Sequence, residues 1–260
     1  MEKIKKALVV FLALAMLLGT ASGCRRAERG LTIEQGVLIM ATNADFPPYE
    51  FWQDGRIVGI DPEIAEAIAQ RLGLRLRIDD MEFAAVLGSV AAGRADMAMA
   101  GLTVTPERMQ TFDFSTSYAT GVQVIIVRDG SPIGSKDDLT RQGVNWDIGV
   151  QLSTTGDLYT TWDLEDEGLA TIHRFSRGSD AVQALLTGRV DAVVIDNEPA
   201  RSFVAMNTGL HILATEFAVE NYAIAFNRGS QLRDEVDRVL RELIADGTVQ
   251  RIIDKYIRAD

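Results

Sequence analysis

One pattern occurs twice in this chain, 95 positions apart, and it restricts the possible folds more than any other feature. Residues 86–101 read VLGSVAAGRADMAMAG and residues 181–196 read AVQALLTGRVDAVVID. Each copy is a helix with an apolar face, a Gly-Arg-x-Asp turn, and an apolar run suited to a buried strand. Such units, repeated, build layered α/β folds with parallel strands. Gly101 and Asp196 hold matching positions at the carboxyl ends of the two strands, where open α/β sheets bind ligands.

The segment that follows the first copy reads AMAGLTVTPERMQTFDFS (residues 98–115) and carries a candidate anion site. Residues 97–102 are expected to form a buried strand, and Thr105, Pro106 and Glu107 fit the N-cap, N1 and N2 positions of a helix. Arg108 then falls in the first turn, where the helix already carries roughly half a positive charge. A bound anion removes that conflict, gripped by Arg108 and by backbone N–H groups around Gly101 and Thr103. The competing reading is a solvated arginine beside Glu107. Asp196 is likewise either a plain N-cap for a helix at 197–199 or a carboxylate facing Arg108 across a cleft. A ligand that joins an anion and a cation at short distance satisfies both sites, and an α-amino acid is the smallest common example.

The rest of the chain supplies the frame. Residues 37–41 read as a strand and 42–49 as a loop with two prolines, beside the aromatics Phe46, Tyr49, Phe51 and Trp52. Those aromatics serve either as a core corner or as a stacking wall for a ligand. Asp54-Gly55 marks a hairpin, Asp61-Pro62-Glu63 opens an amphipathic helix that stops at Gly73, and 74–78 alternates as a strand. The β-branched run 122–128 and the apolar run 222–226 are the two places where the chain crosses between lobes. Residues 147–152 form a strand before a hydroxyl-rich helix start in which Thr154 and Thr155 are caps or anion contacts. Residues 230–246 close the chain with an amphipathic helix.

Composition sets the class: 260 residues, 47% hydrophobic and 24% charged, describe a globular protein with a sizeable core. Residues 1–23 stand apart. Lys3, Lys5 and Lys6 precede an apolar run and a small-residue stretch, which is the pattern of a secretory signal peptide. The next residue, Cys24, is the only cysteine, and Ala-Ser-Gly-Cys resembles the lipobox of bacterial lipoproteins. Cys24 is therefore expected to be lipidated, with 24–35 as a lipid-anchored tether. A formal net charge of −11 argues against nucleic acid as a partner and limits membrane contact to the anchor.

Six motifs in order carry a family resemblance: ATNADFPPYEF, GIDPEIAEAIAQRLG, MEFAAVLGSVAAGRADMAMAGLTVTPERMQTFDFS, GVQLSTTGDLY, GRVDAVVIDNEPA and DGTVQRIIDKYI. Together they resemble the extracellular solute-binding proteins, family 3, of bacterial polar amino acid ABC importers. The resemblance implies a type II periplasmic-binding-protein-like α/β fold, two lobes joined by a two-strand hinge near 117–123 and 217–223. Lobe 1 would comprise 36–119 and 221–260, and lobe 2 would comprise 120–220. It further implies that Arg108 and the Thr103 backbone hold the α-carboxylate with help from Thr154 or Thr155. Asp196 and the Gly101 carbonyl would take the α-ammonium, and Phe46 and Phe83 would sandwich the side chain.

Asn43 stands where members often carry aspartate, which weakens a purely basic preference, and Gln151 stands where one pattern carries lysine. Glu50 and Glu82 lie near the expected pocket and restore acidity if they face it. The implied role is capture of a polar L-amino acid outside the cytoplasm, in the periplasm or on the outer face of the cytoplasmic membrane, by a monomer that delivers it to a permease. ATP hydrolysis would fall to a separate ATPase, since no phosphate-binding loop is present. No catalytic residue, metal or cofactor is expected. Two rivals stay open: a prephenate or arogenate dehydratase on the same fold, and a ligand-presenting sensor component. Against the first, His173 and His211 fall outside the motifs.

Overall fold

The computed structural model describes residues 30–214 and 216–257. The signal peptide expected at 1–23, Cys24 and the first part of the tether lie outside the described residues. From Leu31 onward the chain forms one compact unit. Residues 31–35, the end of the stretch read as a tether, are held to it: the Ile33 N–H donates to Asp96 Oδ1 at 2.7 Å.

Two sheets organise the molecule. The first has the order β5-β1-β6-β14-β7, with β1 (Val37–Thr42), β5 (Arg75–Asp80) and β6 (Met97–Ala98) parallel, and β14 (Ala225–Asn227) antiparallel to both β6 and β7 (Phe112–Phe114). The second has the order β10-β9-β11-β8-β12. There β9 (Trp146–Gln151), β10 (Ala170–Phe175) and β11 (Ala192–Asp196) are parallel, while β8 (Ala119–Arg128) runs antiparallel to β11 and to β12 (Leu210–Ile212). A small sheet of β2 (Asp45–Phe46), β3 (Glu50–Gln53) and β4 (Arg56–Val58) folds the proline loop back beside the first sheet.

The two copies of the repeated pattern fold alike, for a local reason. Helix α2 (Phe83–Ala91) and helix α6 (Gly178–Leu186) each end at a glycine with positive φ, Gly93 at 65° and Gly188 at 76°. The next residue, Arg94 or Arg189, donates back to the carbonyl of Ser89 or Ala184, a Schellman closure. The aspartate of each turn then pins the neighbouring strand: Asp96 accepts from the Ile39 N–H at 2.8 Å and Asp191 from the Asp147 N–H at 3.1 Å. Gly-Arg-x-Asp thus fixes helix end, turn and strand register in both sheets.

The copies differ after the turn. The strand expected over 97–102 pairs only at Met97–Ala98, because the chain then bends through Gly101 (φ 53°). A Cβ at Gly101 would lie 2.5 Å from the Phe46 ring, so glycine is required by both torsion and space. The helix expected at Thr105 also forms, with Thr105 capping the Arg108 N–H at 3.2 Å, but α3 (Pro106–Met109) is a single turn.

Two strands cross between the sheets. Strand β13 (Ala218–Tyr222) pairs antiparallel with β8, from Ala218 opposite Gln123 to Tyr222 opposite Ala119. The final helices, α8 (Gln231–Ala245) and α9 (Thr248–Tyr256), pack on α1 (Ile60–Leu72) beside the first sheet, where the Tyr256 hydroxyl donates to Glu63 Oε1 at 2.5 Å. No helix among the described residues is long and apolar enough to cross a membrane.

Candidate ligand-binding site

The carboxyl ends of β1 and β6 face those of β9 and β11 across a narrow cleft lined from both sides. Asn43, Phe46, Phe83, Gly101, Thr103, Arg108, Thr154, Thr155 and Asp196 all line it, together with Glu50, Ala100 and Gln151. The two sides touch around the cavity. Gln151 Nε2 donates to Asn43 Oδ1 at 2.9 Å, Ser179 Oγ to Asp45 Oδ2 at 2.8 Å, and Arg108 Nη2 to the Ser153 carbonyl at 3.2 Å.

Arg108 is 9% exposed, which removes the reading of a solvated arginine, and Glu107 is the residue that faces solvent. Its Nη1 donates to the Thr103 carbonyl at 2.8 Å and its guanidinium sits 5.8 Å from the centre of the Phe83 ring. Burial pulls its pKa down, against the opposing pull of Glu220 and Asp196. Because α3 is one turn long, burial and these carboxylates govern Arg108 more than the helix dipole does. Thr103 and Tyr222 form an isolated antiparallel bridge, in which the Val104 and Ala223 N–H groups make the bonds. The Thr103 N–H takes no part in that bridge, and Thr103 lines the cavity. The Gly101 N–H, expected to be open as well, instead donates to Asp61 Oδ2 at 3.1 Å.

On the opposite side, Thr154 caps α5 (Thr155–Thr160), its hydroxyl donating to the Gln151 carbonyl at 2.7 Å and accepting from the Asp157 N–H at 3.3 Å. Its hydroxyl is therefore spent. Thr155, the first residue of that helix, keeps its N–H and hydroxyl hydrogen, since its oxygen only accepts from Gln123 Nε2 at 3.4 Å. The helix start and Arg108 together make a converging set of donors for an anion.

Asp196 is the N-cap residue of α7 (Asn197–Met206), yet its side chain makes no capping bond. Instead it accepts from the Tyr222 hydroxyl and borders the cavity. Tyr222 reaches it by passing over Gly121, where a Cβ would meet the tyrosine oxygen at 2.0 Å. Burial first, and then the charge of Glu220, push the Asp196 carboxyl above the usual range. A cation arriving here meets a carboxylate that burial has left short of compensation.

Glu50 is 0% exposed and lines the cavity, and neither of its oxygens accepts a hydrogen bond from an N–H donor among the described residues. Burial, followed by the charge of Asp61, pushes its carboxyl well above the ordinary range. Glu82 is exposed and borders a separate outer groove with Trp52, Asp80 and Arg177. His173 bonds Asp147 and His211 bonds Asp129, and neither lines the cavity.

Sequence reasoning missed the groups behind the wall. Glu220 Oε2 accepts from Thr103 Oγ1 and from Gln123 Nε2, both at 3.0 Å, which ties the loop beside Arg108 to both crossing strands. A glutamine inside the β-branched run 122–128, and a glutamate two residues before the apolar run 222–226, were the available signal. Ser153 (φ 66°), whose carbonyl receives Arg108, gives no sequence signal.

Two α/β lobes, joined by a pair of crossing strands and closed over a cavity lined by both, define a type II periplasmic-binding-protein fold. The family profile of bacterial extracellular solute-binding proteins, family 3, matches residues 38–259, and the chain belongs to that family. It is 30% identical to the arginine-binding extracellular protein ArtP of Bacillus subtilis over 98% of this chain and 99% of ArtP. Among solved structures it is similar to an ancestral arginine-binding protein bound to arginine, with 36% identity, TM-score 0.80, and coverage of 86% of this chain and 99% of that one. The glutamine complex of an ancestral arginine-binding protein gives 35% identity and TM-score 0.80, covering 87% of this chain and all of that one.

Proposed function

We propose that the cavity captures an L-amino acid with a positively charged side chain, and that the protein hands it to the permease of an ABC importer. The carboxylate would lie against Arg108, the Thr103 N–H and the start of α5, and the α-ammonium against Asp196 and the Gly101 carbonyl. Phe46 and Phe83 would flank the side chain, whose charged end would meet Glu50. The observation that carries this reading is Glu50 itself: a fully buried carboxyl on the wall of a cavity whose lining has one cation, Arg108. A zwitterionic head matches Arg108 and Asp196 one for one, which leaves Glu50 to be matched by the side chain. The neutral Asn43 does not oppose this, because its amide is occupied: Nδ2 donates to the Met81 carbonyl at 2.8 Å and Oδ1 accepts from Gln151. The arginine ligand of the similar ancestral protein supports the same class.

Capture has a ligand-dependent driving force, since neither lobe alone offers both poles of the zwitterion. Export through residues 1–23, a lipid anchor on Cys24, and action as a monomer complete the proposal. The test is a thermal-shift panel of the twenty L-amino acids with ornithine, citrulline and cystine. Arginine, lysine or ornithine should raise the melting temperature most, by linkage of binding to folding. Silence across the panel, or turnover of prephenate, would refute it.

A further inference from the structure

Glu50 on the cavity wall forms a buried cluster with Asp61 and Tyr118, neither of which lines the cavity, and the head of an amino acid has no use for it. Glu50 and Asp61 are fully buried, and Tyr118 is nearly so. Asp61 Oδ2 is satisfied by the Gly101 N–H, but among the described residues Asp61 Oδ1, both oxygens of Glu50 and the Tyr118 hydroxyl have no hydrogen-bond partner outside the cluster itself. Ionised carboxylates only accept, so two that face each other cannot satisfy one another unless one carries a proton. The groups facing Glu50 are Asp61 on α1, Asp196 on β11, Asp80 on β5, and the phenols Tyr49 and Tyr118; Glu198 on α7 faces Tyr49. None of these is a cation, and Arg108 is the cation of the same cavity.

We propose that Glu50 and Asp61 share one proton in the ligand-free pocket, and that a cationic side chain, unlike a neutral one, expels it to solvent. Asp61 is then a specificity-determining residue that acts through Glu50. The inference rests on the assignment of Glu50 to the side-chain end of the ligand. The exchange conserves local charge: the pair goes from one negative charge to two as an O–H bond breaks and water or buffer takes the proton. The arriving guanidinium or ammonium restores the balance. A neutral side chain leaves the proton in place, and the protonated carboxyl then donates to it. Burial pushes Asp61 up to about 6, and Glu50 higher than its usual range, so the pair holds its proton at mildly acidic pH. Affinity for cationic ligands, relative to neutral ones, should therefore rise with pH and level off once the free pair has ionised.

Calorimetry of the purified protein near pH 6, in two buffers of different ionisation enthalpy, tests this with L-arginine and its neutral isostere L-citrulline. The ammonium end is common to both, so proton movement at Asp196 cancels. Arginine should release about one proton more than citrulline. Asp61→Asn should shrink that excess, because Glu50 then ionises beside one carboxylate fewer. Independently, infrared spectra of the arginine complex minus the citrulline complex, in which Asp196 again cancels, should show loss of a protonated-carboxyl band, and Glu50→Gln should lack that difference. Equal proton release by the two ligands, no carboxyl difference between the arginine and citrulline complexes, or the same difference in Glu50→Gln, would overturn the inference while leaving capture of basic amino acids standing. Absence of arginine binding in any buffer would instead overturn the functional assignment, and this inference with it.

Discussion

Replacing Arg108 with alanine removes a buried guanidinium that donates to two carbonyls, Thr103 at 2.8 Å and Ser153 at 3.2 Å, on opposite sides of the cleft. Among the described residues it also removes the only cation on the cavity wall. Truncating one partner of a buried, hydrogen-bonded charge pair costs about 2–5 kcal/mol. At 1.4 kcal/mol per decade, dissociation constants should rise by roughly 30-fold to several thousand-fold. Because the α-carboxylate is common to every amino acid, the loss should be the same for each ligand, and the ranking of side chains should not change. The ligand-free protein should lose only a few degrees of melting temperature at neutral pH. Arg108 is costly to bury, which limits the penalty, yet Glu220 and Asp196 lose the charge that balances them. That loss should diminish in mild acid, where Asp196 more readily takes a proton. Calorimetric titration with several amino acids, beside thermal denaturation at two pH values, provides the check. If the variant kept one class of side chain and lost another, or bound all ligands within about threefold of the parent, Arg108 would not be the carboxylate partner.

Three further outcomes follow from particular contacts. Gly101→Ala should weaken ligand binding tenfold or more and cost over 1 kcal/mol of stability, since φ is 53° and the new methyl group meets the Phe46 ring; titration and denaturant unfolding would show both. The Asp61 carboxyl is raised from 3.8 to about 6 on folding, so its contribution is fully present below pH 4 and is lost as pH rises through 6. That loss is on the order of 3 kcal/mol, and Asp61→Asn should flatten the corresponding slope in a plot of stability against pH. Gln151→Ala removes the bond that joins the lobes through Asn43. Stopped-flow kinetics should show faster release of every ligand with unchanged preference, whereas a changed preference would make Asn43 or Gln151 a reader of the side chain.

What could be read from the sequence was whatever local chemistry decides. The Gly-Arg-x-Asp turns announce themselves because a Schellman glycine and a strand-pinning aspartate act within a few residues of each other. Thr105-Pro106 and Gly73 mark helix ends for the same kind of reason. Nine residues picked along the chain line one cavity because strand ends converge in α/β folds. The bend after Ala98 was not legible, since 97–102 is uniformly apolar and only the approach of Phe46 shows why Gly101 must turn. Glu50 was hard to place inside because glutamate is seldom buried. Asp61 read as an ordinary first-turn acid, although its partner is the Gly101 N–H forty residues away. Gln123 and Glu220 acquire meaning only when the two crossing strands pair and bring them together.

The central claim is that both poles of an amino acid head and a side-chain cation are matched by Arg108, Asp196 and Glu50. A crystal structure of the protein with L-arginine tests it most directly. The account predicts one arginine in the cavity, its carboxylate on Arg108 and the start of α5, its ammonium at Asp196, and its guanidinium at Glu50. A ligand bound in the reverse direction, or elsewhere with Glu50 still facing an empty wall, would contradict it.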